Sequence, residues 1–234
     1  YPKTVYSNQK GYMQDFDNFF TISDISIYDI DNDTFTWEFS STVNGFPESN
    51  GTGRTLVMDN FTPDTSGTQD HAYLPSIDFS SAQGAFLNFD IAYARYGSNN
   101  FERLVVLVFS ECGDSNYTIV YDKQSDVLAT TTDTTSEFIP STDAEWRTEQ
   151  VDLSAFDGSS YVSIVFVNLG GWGQNLYIDN VNVTDATLNI KEQVLDELVV
   201  YPNPASDVLN IKSSVQLETV ELYSILGEKI LVTE

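Results

Sequence analysis

The chain has 234 residues, 41% hydrophobic and 13% aromatic, enough for one large β domain plus a small extra piece. Ten Lys and Arg stand against 35 Asp and Glu, a formal net charge of −25, so nucleic acid and anionic membrane surfaces are repelled. No apolar run is long enough to span a bilayer, and the single cysteine, Cys112, excludes an intramolecular disulfide.

In chain order, β-branched and aromatic runs separated by turn clusters predict strands at Thr34–Phe39, Ala85–Ala92, Arg103–Ser110, Tyr117–Tyr121, Thr148–Leu153, Tyr161–Asn168 and Leu176–Val183. In the second run, Leu87, Phe89 and Ile91 share one face and Phe86, Asn88 and Asp90 the other. Arg103–Ser110 is almost continuously apolar, as a strand buried on both faces would be. Ser125–Asp143, rich in Thr, Ser and Asp, reads as a long surface loop. No stretch holds helical periodicity over three turns. The pattern predicts an all-β, antiparallel β-sandwich. After a break at Asp185–Asp196, three short apolar runs remain, too few to bury an independent core, so the natural chain is expected to continue.

Those last runs read Val200-Tyr201-Pro202-Asn203-Pro204, then Val208–Ile211, then Val220–Tyr223 with Leu226-Gly227 after it. Two prolines flanking Asn203 fix φ twice and remove two donors, which makes a rigid turn. The arrangement resembles the type A C-terminal sorting domain of the Bacteroidetes type IX secretion system, with Tyr201, Pro202, Asn203, Pro204, Leu226 and Gly227 at the motif positions. The family's further strands and basic end are missing here. The resemblance implies the start of a small Ig-like β domain, handling by the type IX secretion machinery, and export through the periplasm to the cell surface or medium.

A second resemblance covers the region before it. Asp15-Phe16-Asp17, Asp29–Asp33 followed by Trp37, His71–Phe79, Leu104–Gly113, Trp146–Ser154 and Leu176–Val181 follow, in order, the pattern of choice-of-anchor or cleaved-adhesin jelly-roll domains, which are related to MAM domains. Glu111 stands where that family has Asp before Cys-Gly, and Cys112 has no partner cysteine, so a free, partly buried thiol is expected there. The resulting layout is an entry segment at 1–14, a jelly-roll sandwich at 15–186, a linker at 187–197 and the truncated sorting domain at 198–234. Such domains accompany secreted zinc peptidases, so the resemblance implies that the missing upstream part belongs to an enzyme, a peptidase or another hydrolase. Asp133-Thr134-Thr135 resembles the O-glycosylation acceptor of these bacteria.

Catalytic patterns are scarce. One histidine, His71, cannot make a His-Glu-X-X-His zinc site, and neither a Gly-X-Ser-X-Gly elbow nor a Cys/His pair at family spacing is present. Carboxylate pairs for glycoside hydrolysis meet in space and are not readable from spacing. Metal binding is the better-supported chemistry. Asp29, Asp31 and Asp33 alternate across one loop that lacks the glycine and closing glutamate of an EF-hand, and Ca²⁺ wants six to eight hard oxygens. Asp17 and Asp179 lie on elements that are neighbours in a jelly roll, where a calcium ion would staple the domain's ends. The expected structural Ca²⁺ ligands are therefore Asp17, Asp31, Asp33 and Asp179, the alternative being solvated turns and a strand-end cap. For a glycan, the candidate stacking residues are Trp172, Tyr96 and Tyr93, in or beside Gly-rich loops; packing is the competing reading for each. Trp37 and Trp146 are expected in the core. Together these features predict a non-catalytic accessory module for adhesion or polymer/glycan binding, touching a host or polymer surface and the upstream domain. The alternatives are a structural spacer of a secreted zinc metallopeptidase and a cryptic glycoside hydrolase.

Overall fold

The computed structural model describes residues 12–16, 24–41, 43, 45–46, 54–111 and 116–185, and backbone strands at 199–201, 210–212, 220–223 and 229–233. The chain divides into two units, Tyr1–Leu188 and Asn189–Glu234. Eleven strands of the first unit are described: β1 (Tyr12–Gln14), β2 (Ser26–Asp29), β3 (Glu38–Ser40), β4 (Thr55–Met58), β5 (Gln69–Tyr73), β6 (Phe86–Tyr93), β7 (Arg103–Phe109), β8 (Thr118–Gln124), β9 (Trp146–Asp152), β10 (Ser163–Leu169) and β11 (Leu176–Thr184). They form two antiparallel sheets. One runs β3-β4-β11-β6-β9, with β1 also on β11; the other runs β2-β5-β10-β7-β8. This is the expected all-β sandwich.

Side-chain alternation builds the core. Leu87, Phe89 and Ile91 of β6 are fully buried against Leu104, Val106 and Val108 of β7 and Ile164 and Phe166 of β10. Phe89 meets Phe166 edge-on at 5.1 Å and Tyr121 of β8 at 5.4 Å, so one ring joins the two sheets. Val105 and Leu107 are buried on the opposite face of β7, as its continuous apolar run requires. At the open edges, Lys123 of β8 donates to Glu149 of β9 across the sandwich (2.6 Å). Trp37 and Trp146 are both buried.

Two expectations change. The strand expected from Thr34 begins at Glu38, because the Asp29 carboxylate accepts N–H groups from Asn32, Asp33 and Thr34 and winds that stretch into a loop. The segment Ser125–Asp143 is not purely surface. It opens with a single helical turn, α1 (Ser125–Leu128), whose last carbonyls accept from Arg147, and it sends Leu128 and Phe138 inward. Phe138 packs with Trp146, Tyr177 and Ala92 and covers part of the outer face of the six-stranded sheet.

The second unit contains two antiparallel pairs, β12 (Val199–Tyr201) with β13 (Asn210–Lys212) and β14 (Val220–Tyr223) with β15 (Lys229–Thr233). Tyr201 ends β12 opposite Asn210. Pro202, Asn203, Pro204, Leu226 and Gly227 lie outside the described residues, as do Asp17 and Cys112.

Phe89→Ala removes the ring that bridges the sheets and is expected to destabilise the sandwich by about 3–5 kcal/mol. A urea titration of the full chain followed by tryptophan fluorescence measures this through the shift in midpoint.

Candidate functional site

Asp29 ends β2 and pairs directly with Asp70 of β5. Alternation places both on the inward side of the five-stranded sheet, the side of Ile27 and Ala72. The loop after Asp29 folds around its carboxylate, which accepts from Asn32 N (2.6 Å) and Thr34 N (2.9 Å), with Asn32 and Thr34 at positive φ. The Thr34 N–H is the main influence that holds the Asp29 carboxyl below its ordinary range. Asp31 is exposed and reaches back to accept from Gln69 N (2.8 Å); Asp33 accepts from Phe35 N (2.8 Å). Asp70 is fully buried. Burial pushes its carboxyl up to about 7, the Thr36 hydroxyl opposes that, and the charges of Asp31, Asp33 and Asp29 add to it.

Asp29, Asp31 and Asp70 each offer a carboxylate oxygen within 4.8 Å of the others. Among the described residues this grouping contains neither Asp33 nor Asp179; Asp17 lies outside the described residues, and Asp70 of the polar strand β5 is a member that the sequence did not single out. Asp179 lies elsewhere, at a bulge of β11, where its oxygens accept from Phe46 N and Asn180 N (2.7 Å each). Gly45 is required beside it, since a Cβ there would collide with Asp179 Oδ2. Asn180 donates to Phe46 O (2.7 Å) and to Asp90 Oδ2 (2.8 Å).

The glycan candidates divide. Trp172, 48% exposed, and Tyr96, 38% exposed, stand on loops at one end of the sandwich, with Phe61 6.5 Å from Tyr96 ring to ring. Trp172 has φ 53°; its N–H donates to Thr65 Oγ1 (3.3 Å) and its carbonyl accepts from Asn100 (3.1 Å). Tyr93 does not join them. It is wholly buried on β6, and its hydroxyl accepts from Glu102 N (3.1 Å), so it cannot face a ligand. Its role is support: the buried Glu102 carboxylate accepts from Gly173 N (2.7 Å) and Gln174 N (3.1 Å), anchoring the loop that presents Trp172.

A second aromatic surface was not read from the sequence because its members come from four strands or strand ends. On the outer face of the five-stranded sheet, Tyr28 meets Tyr73 edge-on at 5.2 Å, Tyr73 stacks near Phe109 at 6.4 Å, and Phe109 meets Tyr117 at 5.9 Å. Val165 lies between Tyr73 and Leu107 in register, beneath this row, and is fully buried. Tyr28, Tyr117 and Ile119 remain exposed. Arg103 and Asp122 pair further along β7 and β8 through two hydrogen bonds (2.7 and 2.6 Å). Outward alternation at Gln69, His71 and Tyr73 was the available signal.

With this geometry in place, the chain was compared with known proteins. Residues 199–234 match the secretion system C-terminal sorting domain. That sorting domain directs the chain to the cell surface or extracellular space, and no described helix is long and apolar enough to cross a membrane. No curated protein sequence matches the chain. The K1 cleaved adhesin domain of Lys-gingipain from Porphyromonas gingivalis W83 matches with a TM-score of 0.52 at 14% identity, covering 75% of this chain and 98% of that domain. The K2 cleaved adhesin domain of Lys-gingipain matches with 0.51 at 14% identity, covering 74% and 98%. A looser likeness, 0.43 at 15% identity over 74% and 94%, is to a family 11 carbohydrate-binding module from Clostridium thermocellum in complex with a mixed-linked tetrasaccharide. At these identities what is shared is the fold, and the sandwich ahead of the sorting domain has the fold of the cleaved adhesin domains.

Burial raises Glu102 above the ordinary glutamate value of 4.5. A raised carboxyl lends stability fully below that value and loses it as pH climbs through the raised one. Glu102→Gln cannot ionise, so its urea midpoint relative to the native chain is expected to rise with pH across that window; parallel titrations at several pH values measure it.

Proposed function

We propose that this chain is a non-catalytic binding module, delivered outside the cell by its sorting domain, that holds a glycan chain across the outer face of its five-stranded sheet. The observation that carries this reading is the row of rings Tyr28, Tyr73, Phe109 and Tyr117 spanning the width of that sheet. Aromatic faces offer large apolar area at low entropic cost and suit the C–H faces of sugar rings. Polar groups at the margin, Gln69, His71, Arg103, Asp122 and Gln124, can meet hydroxyls. The six-stranded sheet, by contrast, has part of its outer face covered by the chain's own segment around Phe138. A net charge of −25 disfavours anionic polymers, which points to a neutral glycan.

The loop end favours a second reading, in which the exposed Trp172, held by Thr65, Asn100 and the Glu102-anchored loop, does the stacking with Tyr96. Retention of the full chain on a panel of neutral insoluble polysaccharides separates the two. Tyr28→Ala with Tyr117→Ala is expected to weaken retention by on the order of tenfold or more, as loss of two stacking faces of ~1 kcal/mol each implies, while Trp172→Ala leaves it unchanged. The reverse pattern moves the site to the loops. No retention on any polymer, with both variants folded, removes the glycan reading.

A further inference from the structure

We propose that the loop end of the sandwich, where Trp172 stands inside a rim of acids, is a second binding site, and that it takes a basic polypeptide segment: a Lys or Arg side chain lies against the exposed indole while its cationic neighbours meet the rim. Three observations coincide there. The first is backbone strain. Trp172 has φ 53°, a left-handed conformation that is unfavourable for a bulky residue. Its side chain is left 48% exposed rather than packed into the core. Strain kept at a position that contributes so little to the core points to a use for the ring in solution.

The second is rigidity. The Trp172 N–H donates to Oγ1 of the buried Thr65 (3.3 Å), and Asn100 donates to Gly171 O (3.4 Å) and Trp172 O (3.1 Å). Gly171 has no room for a Cβ, which would strike Phe101 O. Beneath the loop, the buried Gln174 donates to Thr134 O (2.8 Å) and Ser136 O (2.7 Å) and accepts from Phe138 N (2.8 Å). The buried Asn175 accepts from Phe61 N (3.3 Å) and donates to Glu137 Oε1 (3.1 Å). Segments 59–66, 95–102 and 134–138 are thereby tied to the loop that carries Trp172. A ring held in this way has little freedom left to lose on binding, the condition under which Trp anchors a polypeptide interface.

The third is charge. Asp59, Asp64, Asp133 and Glu137, on or beside those framing segments, are all exposed. Arg95 is the one cation in residues 59–66, 95–102, 130–138 and 170–175, and it is paired with Asp133 (2.9 Å). An indole face beside carboxylates attracts a cation through the ring quadrupole and through the acids. The same rim repels an anionic partner, and a second copy of this chain, at −25, is repelled with it. A neutral glycan would draw nothing from the acids, so this site stands apart from the ring row of the five-stranded sheet.

The test selects a phage-displayed library of random peptides on the immobilised full chain. Enriched peptides are resynthesised with a fluorophore, and anisotropy measures their affinity for native and variant chains. Enrichment in Lys and Arg is expected. Trp172→Ala is expected to weaken binding on the order of thirtyfold. Tyr96→Ala, at a second exposed ring of this end, is expected to weaken it on the order of fivefold. Asp59→Asn with Asp64→Asn keeps the acceptors that serve the turns at Thr62 and Ser66. That pair is expected to cost on the order of fivefold, a difference that shrinks as salt is added. Tyr28→Ala with Tyr117→Ala is expected to change nothing. Unchanged urea midpoints show that the variants are folded; if Trp172→Ala is not, Tyr96→Ala and the Asp pair carry the test. No enrichment, peptides without a basic bias, or peptides indifferent to these loop variants overturn the proposal. So does retention on neutral polysaccharide that is lost in Trp172→Ala, which gives the loop end to a glycan.

Discussion

Strand β11 has two edges and three neighbours, and the sandwich depends on how it serves them. One edge is paired along most of its length with β6. The other is shared in sequence, by β4 at Leu176–Ile178 and by β1 at Val181–Val183. The break between them falls at Asp179 and Asn180, where the register against β6 also shifts and Asn180 takes a positive φ. A bulge re-aims the strand at the cost of unpaired backbone and side chains. Here those are answered locally: Asp179 takes the N–H of Phe46, and Asn180 joins Phe46 O to Asp90. Without this node the chain's entry strand has no place in the sheet.

Three of the buried acids are accommodated in two ways. Asp179 and Glu102 each accept backbone N–H groups, from Phe46 and Asn180 in one case and from Gly173 and Gln174 in the other. Both hold loops against strands and need nothing from solution. Asp70 lies equally deep but has the Thr36 hydroxyl as its hydrogen-bond partner, and the nearest charges repel it. Burial and those charges push its carboxyl toward the protonated form.

The two outer faces are equally unlike. Phe138, arriving on the long segment after α1, closes over Trp146 and Tyr177 and covers that part of the six-stranded sheet, while Thr148, Gln150 and Asp152 of β9 stay exposed. On the five-stranded sheet the rings of Tyr73 and Phe109 fold over Val165 and extend outward to Tyr28 and Tyr117. One face is partly covered by the chain's own segment, and the other carries an apolar strip with polar margins.

The sequence by itself determined the all-β class, the facing of Leu87, Phe89 and Ile91, the double burial of β7, the buried Trp37 and Trp146, and the sorting motif at the end. Each rests on local alternation or on residues adjacent in the chain, which physics ties to a single geometry. Tertiary structure alone decided the rest. Asp70 sits in the strand Gln69–Tyr73, whose polar residues hide its pairing with Asp29, and only strand register brings the two together. Tyr93 looked like a loop-edge aromatic, yet the inward turn of β6 buries it under Glu102. The ring row joins residues 28, 73, 109 and 117, far apart in the chain. Their meeting follows from strand order, which the long connections between strands set and no local pattern encodes.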